Sequence, residues 1–263
     1  MDGLEKVNTF LGWMALFVNW TECALHGIIV EKKERKPTMT IQLTEKHYAL
    51  LIRVLEIMAS FYGNDFASIC KEVGETYGAG EDAIQEACSV LTAVNVTAPV
   101  PAMQETAERL LNIAKNPVIL PKNQAPYTKQ IDIEEDDMIR LVSILDAYSR
   151  ILMGQFDKIY DAMDVAPDDG EYEHRLQANH DARWYGVGVS EARDLLIPQL
   201  KKMGVGRNGS FGISNLDLAY NSKLSYEMLK ALDHACGCSD SYCLKVTDEP
   251  FLRIPGTNKM RSL

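Results

Sequence analysis

A chain of 263 residues, 46% of them apolar, is long enough to bury a substantial core as one large domain or two small ones. Its 37 acidic and 27 basic residues leave a net charge of -10, which disfavours broad, sequence-independent binding to the nucleic-acid backbone but leaves room for a local basic pocket holding a small anion. Six cysteines (Cys23, Cys70, Cys88, Cys236, Cys238, Cys243) accompany an amino terminus that carries Asp2 and Glu5 and has no basic n-region. The expectation is a reducing cytoplasm, free thiols and no secretory route, with the sequons at Asn19, Asn95 and Asn208 as chance matches.

Residues 4 to 30 are rich in apolar and aromatic side chains, but Asn19, Glu22 and His26 interrupt them, and the unbroken run is too short to span a bilayer. Leu4, Val7, Leu11, Met14, Val18 and Leu25 follow helical spacing. Residues 1 to 38 are therefore expected to be an amphipathic helix for core or subunit contact rather than a membrane anchor. The solvated connector EKKERK at 31 to 36 ends at Pro37.

The clearest pattern follows, and it occurs twice. A shift of 90 residues places Ile41 on Ile131, Glu45 on Glu135, Leu51 on Leu141, Leu55 on Leu145, Phe66 on Phe156 and Ile69 on Ile159. Each copy (39 to 70 and 129 to 160) opens on an alternating segment, MTIQL or KQIDI, that reads as a strand, then switches to helical spacing. In the second copy Met138, Leu141, Val142, Leu145, Tyr148, Ile151 and Leu152 form one apolar stripe, and Glu134, Glu135, Asp136 and Asp137 suit the positive end of the helix dipole. Gly63 and Gly154 sit where each long helix should stop and hand over to a short one. Two copies are too few for a solenoid, so the implied object is a duplicated supersecondary unit occupying residues 39 to 163. Between the copies, Glu81 to Val94 and Met103 to Ala114 read as helices separated by breaks at Pro99 and Pro101, and Pro117, Pro121 and Pro126 mark a loop.

The acidic linker DVAPDDGEYE, 164 to 173, marks a boundary before a C-terminal region at 174 to 263. There a helix capped by Ser190 is expected to run to Met203 and end at Gly204. After the loop GVGRNGSFGISN a second helix is expected from Leu216 to about Ala235, and the tail from Tyr242 alternates as a strand or hairpin, with Pro250 confining part of it to an edge. The fold class is thus mainly α, or α+β with minor short strands: the duplicated strand, long helix and short helix, plus a C-terminal helical region.

Several residue groups invite chemistry. Gly204, Gly206 and Gly209 spell GxGxxG, but a helix precedes them where a dinucleotide fingerprint needs a strand. His234, Cys236, Cys238 and Cys243 are enough ligands for zinc in number, at an atypical spacing, and no metal or cofactor is assigned to them. Carboxylate pairs at Glu72/Glu75, Glu105/Glu108 and Glu134/Asp137 suggest a metal-dependent nucleotide hydrolase, although so acidic a helical chain produces such pairs by chance. The best coincidence of guanidinium, aromatic face and glycine backbone is Arg183, Trp184 and Tyr185 in the polar stretch QANHDARWYGVG, together with Arg207, Asn208 and Ser210; these six are the candidate ligand-binding residues for a small anion.

The stretch from Glu135 to Phe156 with its MGQF ending, then ARDLL (192 to 196), SFGISN (210 to 215) and AYNSKLSYEMLK (219 to 230), resembles an uncharacterised family of tailed-phage and prophage proteins over residues 129 to 255. The leading 128 residues and the cysteine cluster depart from it, and it supplies no catalytic residue to carry over. The resemblance implies a viral protein of the host cytoplasm that acts by binding, without catalysis: a counter-defence or host-takeover protein that sequesters a nucleotide signal or binds a host defence protein directly. Duplicated amphipathic units further suggest a homo-oligomer.

Overall fold

The structure, a computed structural model, describes residues 37–93, 100–156, 159, 183–205, 210–236 and 245–255, with backbone alone for 183–187. The expected helix at 1 to 38 therefore lies outside the described residues, apart from its last two positions. From Thr38 onward the chain forms a compact unit. It is mainly helical, with a small three-stranded antiparallel sheet.

Strand β1 (Thr38–Leu43) leads into α1 (Glu45–Tyr62), α2 (Ala67–Tyr77), α3 (Glu81–Ala93) and α4 (Pro101–Ala114), then β2 (Val118–Ile119). Strand β3 (Lys129–Glu134) leads into α5 (Glu135–Leu152), followed by α6 (Arg183–Leu196), α7 (Pro198–Lys202) and α8 (Tyr220–Cys236). Thr44 caps α1 by accepting from the His47 N–H at 3.3 Å. Glu134, at the matching position, makes no side-chain cap, and Glu135, Asp136 and Asp137 instead place negative charge in the first turn of α5.

The two copies share their geometry down to individual bonds. Both strands are 6 residues long and both long helices 18. In the first copy Gly63, Asn64 and Asp65 donate to the carbonyls of Ala59, Phe61 and Ser60; in the second Met153, Gly154 and Gln155 donate to Ser149, Ile151 and Arg150, the same bonds moved by 90 residues. The left-handed residue of this stop is Gly154 (φ 86°) in one copy and Asn64 (φ 71°) in the other, so the first copy uses an asparagine where the sequence suggested Gly63. Phe66, Ile69, Phe156 and Ile159 are all buried. The short helix of the first copy is α2; most of its counterpart lies outside the described residues.

The copies also face each other. In the antiparallel β1–β3 pair Ile41 stands opposite Ile131, its own repeat equivalent, and the flanking pairs Thr40–Asp132 and Gln42–Gln130 exchange under the same shift. This places a pseudo-twofold axis at Ile41/Ile131. The symmetry reaches further than the sequence repeat. Helix α4 packs along α1 as α8 packs along α5, and α3 packs against α6. Each half ends by pairing with the other half's first strand: β2 with β3, and Arg253 with Gln42 through bonds of 2.7 and 3.0 Å.

Several local expectations are corrected. Strand β2 was not anticipated, because two residues carry no alternation to read. Pro101 begins α4 rather than breaking it, since a first-turn proline forfeits no helical hydrogen bond. Ser190 lies inside a helix rather than at its start: α6 begins at Arg183, a break at Ile197 precedes α7, and Gly204 (φ 68°) ends the run as expected. Helix α8 begins at Tyr220, leaving Leu216 93% exposed in the preceding turns. The described part of the tail forms a single bridge at Arg253, with no strand or hairpin.

Candidate functional site

Residues Lys46, Ala49, Leu50 and Arg53 lie on one face of α1, and α8 lays Tyr220, Asn221 and Leu224 against them, enclosing a cleft of about 320 Å³. Buried Leu50 and Leu224 form its apolar floor. Two cations, one phenol and one amide supply its polarity. Arg53 follows Lys46 by seven positions of helix, about 10 Å along the axis at 1.5 Å per residue.

Each cation is held from behind by a carboxylate. The Lys46 ammonium lies 3.0 Å from Glu249 Oε2 and 5.5 Å from the centre of the Tyr220 ring, and the Glu249 hydrogen bond, followed by the charges nearby, raises its pKa. Arg53 Nε donates to Glu72 Oε2 at 2.6 Å, and its terminal nitrogen also pairs with that oxygen. The other Glu72 oxygen accepts from the Tyr148 hydroxyl at 2.7 Å. Burial, reinforced by Glu72, pushes the Tyr148 phenol well above its ordinary pKa, so the phenol stays a donor. Both cations remain open to solvent, with 59% of the Lys46 side chain and 51% of the Arg53 side chain exposed.

Glu249 comes from the far end of the chain. Buried Glu227 on α8 accepts from the Val246 N–H, from the Thr247 N–H at 2.6 Å and from the Thr247 hydroxyl at 2.7 Å, which fastens this segment. Burial works against charge on Glu249, but hydrogen bonds from Thr44 and Lys46 outweigh it and hold the carboxyl below its ordinary pKa. Beside it His47 is kept neutral: burial lowers its pKa to about 4, and Thr44 Oγ1 lies 3.1 Å from its Nδ1.

A second groove, of about 460 Å³, runs between α4 and the sheet and includes Arg109, Asn112, Asn116, Gln130 and Asp132. Its arginine forms a bidentate pair with buried Asp137, at 2.9 and 2.5 Å, and Asp132 adds negative charge. The α1–α8 cleft is lined by two cations without a carboxylate among its wall residues, and is the more cationic of the two.

The six ligand-binding candidates of the sequence are mostly out of reach. Arg183, Trp184 and Tyr185 form the first turn of α6 rather than a polar loop, and their side chains, like Arg207 and Asn208, lie outside the described residues. Ser210 is half-buried and its hydroxyl accepts from Gln155 Nε2 at 3.1 Å. Next to it the Phe211 N–H donates to the Met153 carbonyl at 2.8 Å, and the Phe211 ring stacks on Tyr77 at 5.5 Å. The MGQF and SFGISN signatures therefore meet, docking the segment before α8 onto the end of α5.

The carboxylate pairs build no metal site: no metal-competent group of three His, Cys, Asp or Glu side chains occurs among the described residues. Of the His/Cys cluster weighed for zinc, His234 and Cys236 lie in the last turn of α8, while Cys238 and Cys243 lie outside the described residues. No described helix is long and apolar enough to cross a membrane. No family model, curated protein or solved structure matches the chain.

Lys46, Arg53, Tyr220 and Asn221 were missed from sequence. A signal existed: the 90-residue shift puts Asp136 and Ser143 where the first copy has Lys46 and Arg53, one charge reversed and one lost inside a repeat whose apolar positions hold.

Proposed function

We propose that the protein is a binding protein that captures a small anionic ligand of the nucleotide class in the α1–α8 cleft. The observation that carries this reading is the placement of Lys46 and Arg53 two helical turns apart, each pre-positioned by a carboxylate, with the partly exposed Tyr220 ring beside Lys46. Arginine and lysine pair with phosphate oxygens, and an aromatic face stacks on a base. With the resemblance to tailed-phage proteins, this makes the chain a viral counter-defence protein that withholds a nucleotide signal in the host cytoplasm. Self-association belongs to the same proposal, and Val118 and Ile119, 55% and 64% exposed on the β2 edge, support it. Light scattering should then give a mass above the monomer at tens of micromolar.

Calorimetry and native mass spectrometry with a panel of linear and cyclic nucleotides test the binding. Lys46→Ala should weaken the ligand that binds by roughly 1.5 to 3 kcal/mol through loss of charged hydrogen bonds, with little change in melting temperature. If Arg183→Ala or Arg207→Ala weakens binding and Lys46→Ala does not, the ligand sits with the sequence-derived set. Capture of a host defence protein without any nucleotide binding moves the function to direct inhibition, and magnesium-dependent turnover moves it to hydrolysis.

A further inference from the structure

Helices α2 and α3 form a tight antiparallel hairpin joined by Gly78, Ala79 and Gly80, with Gly78 in the left-handed region at φ 72° and the Ala79 N–H closing onto the Gly74 carbonyl at 2.8 Å. The helices approach so closely at Gly74 that an added Cβ would overlap the Ile84 side chain. One helical turn further from the connection on both helices, Gly74 and Ile84 give way to Cys70 and Cys88. The register therefore sets the two cysteines along the same seam, near enough that Cys88 adds to burial in raising the Cys70 thiol pKa. Cys70 is 1% exposed, whereas Cys88 is half-buried and reachable from solvent.

We propose that Cys70 and Cys88 are a reversible oxidation site that closes to an intramolecular disulfide when the protein meets a peroxide. The half-exposed Cys88 thiolate attacks one peroxide oxygen, the O–O bond breaks, and the sulfur becomes a sulfenic acid as hydroxide leaves and is protonated to water. The Cys70 sulfur then attacks the Cys88 sulfur, the S–O bond breaks, and a second water departs with the Cys70 proton. Two thiols lose two electrons and the peroxide gains them. Burial raises the Cys70 thiol pKa, so Cys70 stays protonated until this second step and Cys88 is the first to react. In a reducing compartment such a pair works as a transient sensor rather than a permanent staple.

The full-length protein treated with hydrogen peroxide, then blocked with an alkylating agent and digested with trypsin without reduction, reads this directly. Cleavage after Arg53, Lys71 and Arg109 yields the peptides Val54–Lys71 and Glu72–Arg109, each with one of the two cysteines. The expected result is that these two peptides appear joined, separate on reduction, and stay separate in Cys88→Ser, with the oxidised protein melting about 5 °C higher because the unfolded chain is cross-linked. Recovery of both peptides singly alkylated after peroxide, or of Cys88 joined to any cysteine other than Cys70, overturns the proposal.

Discussion

The two halves of the unit share a backbone and differ in what they place on it. Across the 90-residue shift the strand, the long helix and the three bonds that end it are the same, and the buried positions match: Leu51 with Leu141, Leu55 with Leu145, Phe66 with Phe156. The polar positions do not match. The third residue of the long helix is a neutral, buried His47 in one half and an Asp137 paired with Arg109 in the other. The α1 face turned to α8 carries Lys46 and Arg53, where α5 has Asp136 and Ser143. The lesson is that apolar volume and helix stops are what the shared architecture demands, while charge was free to diverge once the packing was met, so the Lys46/Arg53 pair has no counterpart at Asp136 and Ser143.

The largest test of that asymmetry is Glu72→Ala. It leaves the buried Tyr148 hydroxyl without its acceptor and Arg53 without its carboxylate, and should cost about 3 kcal/mol in urea unfolding. The repeat equivalent of Tyr148 is the buried Met58, which carries no such debt, so a volume-conserving Met58→Leu should cost less than about 1.5 kcal/mol. Equal losses would show that the ion network adds nothing beyond packing.

Acid should then separate the halves. His47 is neutral in the folded protein down to about pH 4, whereas the unfolded chain takes up that proton near 6.5. The unfolded state binds more protons between these values, so stability present above pH 6.5 is lost as pH falls, on the order of 2 kcal/mol between pH 7 and 4.5. His47→Gln should flatten the slope in that window. A slope unchanged by the substitution would place the titration elsewhere.

The helix stops test the equivalence itself. Gly154→Ala combines a strained left-handed φ with overlap of the new Cβ and the Leu200 side chain, and should cost about 2 kcal/mol. At the equivalent position Asn64→Gly replaces a tolerated left-handed residue with a permissive one, and its unfolding free energy in urea should change by no more than about 0.5 kcal/mol. Reversed magnitudes would break the correspondence between the two stops.

What the sequence by itself determined was the periodic part: the repeat, the strand openings and the long helices, because burial forces apolar residues into i, i+3, i+4 order wherever a helix meets a core. The stripe from Met138 to Leu152 could be read for that reason, and the stop at Gly154 for its glycine. Asn64 escaped because an asparagine in the left-handed region leaves no periodic trace, and β2 because it spans only Val118 and Ile119. The α1–α8 cleft depends on tertiary structure alone. Lys46 and Tyr220 become neighbours only when α8 packs beside α1, and Lys46 meets Glu249 only because Glu227 fastens the segment that carries it. Charged side chains obey no spacing rule of their own, so the contacts that make a cation site are set by which helices the apolar faces bring together.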